Sequence, residues 1–330
     1  MKQTYIVATL ALLAAGAVSA QSSVTIYGRV NTSAEQQENI AVAGKQKVLQ
    51  SSASRIGFKG SEDLGGGLRA NFILEHGFNS DTGTAGASFW GRQSEVNLAG
   101  GFGMLRLGNF ISEAYFATAD YISMHNHDTG TSEDKLYAYI GRNTNKIAYR
   151  TPEFVKGLTL EVAGTLGEGG GRKSTYDVAA NWSLGALQLG AGYENADVGS
   201  TKVNQFALRA LFEAGPLVFG VYAQRDENGY GANLGTRNTV RGSMAYNFGA
   251  NELHLNYGRA GDYSKLSGSK ADQFTVGYNY NLSKRTKVYA FYTQVDNGTL
   301  NYFGAGVRET ATSTRFKDPR AVALGVRHNF

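Results

Sequence analysis

The segment YDVAANWSLG, residues 176–185, places Tyr176, Val178, Ala180, Trp182 and Leu184 on one side of an extended chain and Asp177, Asn181 and Ser183 on the other. Side chains of a strand alternate between faces, so period two marks a half-apolar strand. The same pattern recurs. SSVTIYGRVN sets Val24, Ile26 and Val30 against Thr25, Tyr27, Arg29 and Asn31. LRANFILEHGF sets Leu68, Ala70, Phe72 and Leu74 against Arg69, Asn71 and Glu75. VNQFALRALF opposes Phe206, Leu208, Ala210 and Phe212 to Gln205 and Arg209, and DQFTVGYNYNLS opposes Phe274, Val276, Tyr278 and Tyr280 to Thr275 and Asn279. About sixteen such segments of roughly ten residues can be counted, an even number that suits a closed barrel.

The connectors alternate in length. Short ones, EDLGGG (62–67), LGA (184–186), FEAGP (212–216), FGAN (248–251) and NLSKRT (281–286), carry the Gly, Asn and Pro that tight turns need. Longer polar ones lie between, and the longest runs from about Ile111 to Arg142. One rim of short turns and one of long loops is the layout of a membrane barrel. A sandwich with a dry core would turn Lys- and Glu-rich faces outward, and a β-helix would show a fixed repeat; neither is present. Aromatics stand at segment ends (Phe72, Phe78, Tyr176, Trp182, Tyr246, Phe248, Tyr278, Tyr280), where interfacial girdles are expected.

Composition agrees. The chain has 43 Gly, 19 Tyr and 17 Phe but only 3 Pro and no Cys. Tyr and Phe favour strands, Pro interrupts central ones, and an exported chain without Cys must hold its sheet together by pairing alone. Residues 1–20 read as a cleaved signal peptide, with Lys2, an apolar run from Tyr5 to Val18 and the small-residue site Val18-Ser19-Ala20. The mature chain is then residues 21–330, one barrel domain. Without Lys2, 31 of the 32 basic residues face 27 acidic ones, a net charge of +4.

Alternation assigns Arg29, Arg55, Lys59, Arg69, Arg106, Arg142, Lys146, Arg150, Arg209, Arg241 and Arg327 to the lumen, with Glu75, Glu95, Glu161, Asp177, Glu194 and Glu252. An outward charge at mid-bilayer would cost about 2–4 kcal/mol. Inward rings of Arg and Lys favour anions. Of the aromatics, Tyr27 and Tyr222 point inward on this reading. Loop acids Glu113, Asp120, Glu133 and Asp134 are placed to balance the arginines across the gap and make a transverse field. Ser112 is the expected N-cap of a short helix ending near Ile122. No cofactor is called for. No metal site is expected either: His125 and His127 lack a third ligand at a usable spacing. No G-x-S-x-G or H-E-x-x-H occurs, and the Gly-rich stretch at 167–173 lies between strands rather than before a helix. No catalytic group and no nucleic-acid partner follow.

The blocks SSVTIYGRV (22–30), SRIGFKGSEDLGGGLRANFILE (54–75), VNLAGGFGMLRLGN (96–109), YNYNLSKRTKVYAFY (278–292) and LGVRHNF (324–330) together resemble the Gram-negative general porins of the β-proteobacterial type. The resemblance implies an all-β, 16-stranded antiparallel transmembrane β-barrel with a long third loop folded into the lumen, assembled as a homotrimer in the outer membrane. It implies outer-membrane lipid and lipopolysaccharide as surroundings, and small anions and hydrophilic solutes as cargo. It also implies that the terminal Phe330, at the end of an alternating strand, serves barrel closure and is read by the barrel assembly machinery. By similarity to an anion-selective member, a constriction cluster of three arginines falls on Arg55, Arg92 and Arg142. Parity from Val96 and Leu98 sets Arg92 on the outer face unless a bulge or a position above the bilayer returns it. A channel selective for organic acids, a structural or adhesive barrel, and an outer-membrane hydrolase are the competing functions.

Overall fold

The computed structural model describes residues 23–40, 43–119, 130–140, 142–168, 175–198, 201–229, 233–300, 303 and 317–330, without the side chains of Arg142, Asn143 and Val198. The expected signal peptide, Asp120, His125 and His127 lie outside the described residues. Seventeen strand segments form one antiparallel sheet. Two of them, Lys45–Ser51 and Arg55–Gly65, pair with the same strand and count as one broken strand, leaving sixteen.

The strands are β1 (Ser23–Glu38), β2 (Lys45–Ser51 with Arg55–Gly65), β3 (Leu68–Gly77), β4 (Gln93–Gly100), β5 (Gly103–Ile111), β6 (Arg142–Arg150), β7 (Leu158–Thr165) and β8 (Thr175–Leu184). They continue as β9 (Leu187–Val198), β10 (Thr201–Ala214), β11 (Leu217–Glu227), β12 (Thr236–Phe248), β13 (Asn251–Ala260), β14 (Ala271–Asn281), β15 (Thr286–Asn297) and β16 (Arg320–Asn329). Each pairs with the next, and β16 returns to β1 from Arg29↔Asn329 to Glu38↔Arg320. Phe330 adds two backbone bonds, Gly28 N–H to its carbonyl at 3.0 Å and its own N–H to Gly28 at 3.1 Å. Closure leaves no unpaired edge in lipid, where each orphan backbone group would cost several kcal/mol.

The burial pattern is that of a globular protein turned inside out. Val24, Ile26, Leu208, Phe212, Val240, Leu324 and Val326 are exposed, while Asn31, Glu35, Lys146, Asp177, Arg237, Arg241 and Thr293 are buried. Outward apolar positions meet lipid; inward polar positions pair with one another. Trp182, Tyr246, Phe248, Tyr278, Tyr280 and Phe330 are exposed near the short-turn rim, where a girdle was expected, and Phe212 and Phe219 join them.

The break in β2 is local. Ala53 takes φ 50, Ser54 Oγ accepts the Asn31 amide at 3.0 Å, and the Ser80 amide donates to Ser51 Oγ at 3.1 Å. Serine hydroxyls thus satisfy the backbone where ladder pairing lapses.

Candidate functional site

The long connector after β5 enters the barrel. It begins with α1 (Glu113–Thr118), whose N-cap Ser112 accepts the Tyr115 amide at 3.2 Å. Capping by Ser matches the sequence expectation; the helix is shorter than expected among the described residues, with Ala119 as C-cap. α1 lies against β9 because β9 is bare there. A Cβ on Gly190 would stand 1.9 Å from the Ala117 carbonyl, and one on Gly192 would stand 2.6 Å from that of Ala114. Ala114 and Ala117 complete the contact with Ala179 of β8.

Glu113 ties the helix to the wall. It takes Arg150 Nη2 and the Asn181 amide at 3.1 Å, with Arg106 at 3.8 Å. Behind it, Arg106 grips Glu95 at 2.9 Å and Glu161 at 3.0 Å, and Arg150 donates to Glu161 at 2.9 Å. Lys146 pairs with Asp177 at 2.6 Å. Burial pushes the Glu113 carboxyl above its ordinary value; Arg150 and Arg106 pull it back and Glu161 adds to the rise.

The returning segment, residues 130–140, is fastened at several points. Thr131 donates to Glu35 at 2.7 Å. Gln273 receives the Lys135 amide at 3.0 Å and donates to the Glu133 carbonyl at 2.8 Å. Asp134 accepts Arg241 at 2.7 Å and the Tyr222 hydroxyl at 2.6 Å. Arg237 donates to the Leu136 carbonyl at 3.0 Å, and Gln224 bonds both the amide and carbonyl of Ala138, at 2.7 and 2.9 Å. Burial works against the Asp134 charge, but Arg241, Tyr222 and the Leu136 amide hold its carboxyl below the ordinary range. Glu133 pairs with Lys135 beside it.

The described loop acids are therefore placed differently from the transverse-field reading. Glu113 and Asp134 are engaged by wall arginines and fasten the loop, while Glu133 is paired within the loop by Lys135. The reason is local: each of these three lands opposite an inward Arg or beside a Lys, and a desolvated carboxylate takes the nearest cation.

The opposite side of the lumen is more open. Arg55 lies 3.6 Å from Glu75, and Arg92 Nε donates to the same carboxylate at 2.6 Å. Their side chains keep 21% and 22% of their surface, against 1% for Lys146 and Arg241; Arg150 keeps 30% but is held by two carboxylates, Glu113 and Glu161. Arg92 sits at a bend just before β4, so the parity of Val96 and Leu98 does not extend to it. Lys59 lies 5.4 Å from the Tyr27 ring. Arg29 donates to Asn329 at 3.1 Å and stands opposite Arg55 across β1 and β2, while Lys287 stands opposite Arg327 across β15 and β16. Lys287 also reaches Glu252 at 2.9 Å. Arg69 is exposed on β3 near the short-turn rim.

For Arg142 the parity argument fails. Between Gly108↔Lys146 and Phe110↔Asn143 the register shifts, with Asn145 at φ 57, so two residues of β6 oppose one of β5. The alternation running through Arg150 and Lys146 stops at that bulge. Arg142 pairs by backbone with Ile111, and its side chain is outside the described residues. Inward aromatics also exceed Tyr27 and Tyr222. Phe110, Tyr289 and Phe291 are buried on lumen positions, and Tyr115 and Tyr137 pack against Tyr222. Phe110 keeps the parity of Arg106, since the extra residue lies on β6, and was legible from period two. Tyr289 and Phe291 stand opposite outward Val288 and were legible from period two.

The pattern of the Gram-negative porin family matches residues 7–300. Outer membrane porin protein 32 of Delftia acidovorans is 31% identical, over 98% of this chain and 99% of its own. Major outer membrane protein P.IB of Neisseria meningitidis serogroup A is 32% identical, over 87% of this chain and 91% of its own. Among solved structures, an anion-selective porin from Comamonas acidovorans superposes with a TM-score of 0.79 at 26% identity, covering 94% of this chain and 100% of that one. A closed barrel, apolar outside and charged within, narrowed by its own third loop, thus joins a family match spanning most of the sequence: the chain belongs to the Gram-negative porins, outer-membrane channels through which small hydrophilic solutes diffuse passively.

Proposed function

We propose that this porin prefers anions, and that the preference resides on the wall where the barrel closes. The observation that carries the reading is the row Lys287, Arg327, Arg29, Arg55 and Arg92, in which bases outnumber the acids Glu252 and Glu75. Like charges placed directly across strands cost stability. Keeping Lys287 opposite Arg327 and Arg29 opposite Arg55 is explained by a field that concentrates anions. The anion selectivity of the Comamonas porin supports the same reading. Arg142 belongs to the proposed cluster by resemblance alone.

The mature channel is residues 21–330 after removal of the leader, a homotrimer in lipopolysaccharide-containing membrane, delivered by assembly machinery that reads the strand ending at Phe330. It performs no catalysis. The test is single-channel current in a planar bilayer across a salt gradient. The reading predicts current steps in threes and a reversal potential on the anion side. A cation-side potential for the wild type overturns it.

A further inference from the structure

The loop carries rings as well as acids. Tyr115 and Tyr137 are buried 5.8 Å apart, and Tyr137 meets Tyr222 of β11 edge-on at 5.3 Å. Phe116 and Tyr139 pack against Tyr115, at 5.8 and 4.6 Å between ring centroids, and both keep part of their surface, as do Ile111 and Ile140. Inside a closed barrel, surface left uncovered meets the water of the channel. A wall lined throughout by polar groups would not pay the cost of wetting these rings. An apolar patch kept in water marks a place where something apolar is received.

The patch and the hydrated arginines hold opposite sides of the passage. α1 rests on β8, β9 and β10. Arg55 lies on β2 and Arg92 just before β4. In a ring of sixteen strands, β2 is eight strands from β10. The heights agree too. Arg55 stands opposite Arg29, the seventh residue of β1, and Tyr137 lies against Tyr222, the sixth residue of β11; both strands start at the short-turn rim.

A solute between them meets guanidinium forks on one side and ring faces on the other. Forks suit carboxylates, and rings favour other rings in stacked or edge-on contact. We propose that the constriction favours aromatic carboxylates of the benzoate type, the ring passing along Phe116 and Tyr139 while the carboxylate turns toward Arg55 and Arg92. The proposal rests on the anion reading above and narrows it to a solute class. An inorganic anion uses only the basic wall; an aromatic acid uses both and is held longer.

The test is the chloride current of the folded channel in a planar bilayer at neutral pH, with benzoate or cyclohexanecarboxylate added. The two acids match in charge and nearly in size, and only one is aromatic. Benzoate halves the current at a concentration at least fivefold below that of cyclohexanecarboxylate. Phe116→Leu/Tyr139→Leu keeps apolar side chains without the rings and brings the two concentrations within twofold of each other. Arg55→Gln/Arg92→Gln weakens the block by both acids. Equal block by the two acids in the wild type overturns the proposal, even where the variants fail to assemble. So does a benzoate advantage that survives in the leucine variant, or a block that the arginine variant leaves at full strength. Equal block with an anion-side reversal potential in potassium chloride defeats this proposal alone; a cation-side potential defeats the anion reading with it.

Discussion

The wall from β5 round to β14 and the wall from β15 round to β3 carry the same kinds of side chain and use them differently. On the first, Arg106, Lys146, Arg150, Arg237 and Arg241 are matched to Glu95, Glu161, Asp177, Glu113, Asp226 and Asp134, and the loop lies on top of them. On the second, Arg55 and Arg92 share one carboxylate and stay partly hydrated, and bases face bases across strands. Charge on the first wall is fastening; charge on the second is field. An inward arginine is thus no guide to selectivity until its partner is known.

The largest effect is expected at the fastened wall. Asp134→Ala strands Arg241 in a buried site and releases a loop anchor, a loss of about 3–5 kcal/mol. The melting temperature of the folded barrel should fall, and the variant's conductance should rise and become noisy. Wild-type melting and conductance would show that the loop is held elsewhere. Next comes Gly190→Val, whose branched side chain has no room beside the Ala117 carbonyl. Overpacking of this kind costs about 1–3 kcal/mol. Greater protease sensitivity near α1, with ion preference retained, is the expected outcome.

At the open wall the energies are smaller but appear in transport. Arg55→Gln with Arg92→Gln removes two partly hydrated charges, together worth about 1 kcal/mol to an anion roughly 8 Å from each. Reversal potentials should move toward cations by about fivefold in permeability ratio, with melting little changed. Arg237→Gln, on the fastened wall, should do the reverse, lowering melting while leaving the ratio alone. If both shift selectivity equally, the two-wall distinction is lost.

The smallest effect is a pH dependence of opposite sign at the two ends of the loop. Glu113 binds its proton more tightly when docked, since burial raises its carboxyl above the unfolded value. Docking of α1 therefore strengthens as pH falls through that raised value, and Glu113→Gln should flatten the trend. Asp134 is held below its ordinary range, so its anchor stays intact above about pH 4 and weakens only in stronger acid. Hydrogen exchange of residues 113–119 and 130–140 across pH 3–7 would separate the two ends.

Much of this architecture was readable from period two, since a lipid-facing residue must be apolar whatever its neighbours are. Tyr176 to Leu184 needed no tertiary information, and neither did the inward face of Arg29, Arg55 or Arg150. Ser112 was legible as a cap because capping is local. Pairing was not legible. Arg241 finds Asp134 at a separation of 107 residues, and nothing in either neighbourhood announces it. Parity also stops where a strand stops, at Gly91 before Arg92, and where a bulge inserts a residue, at Asn145 before Arg142.

Because barrel strands tilt, the row from Lys287 to Arg55 climbs the wall instead of ringing it at one height. Neighbouring strands are about 4.8 Å apart, so an ion leaving one side chain is already within reach of the next. Residence at each step stays brief, and throughput should rise nearly in proportion to concentration, saturating late. The seam where the chain's two ends meet thus doubles as a staircase whose treads are too shallow to stand on.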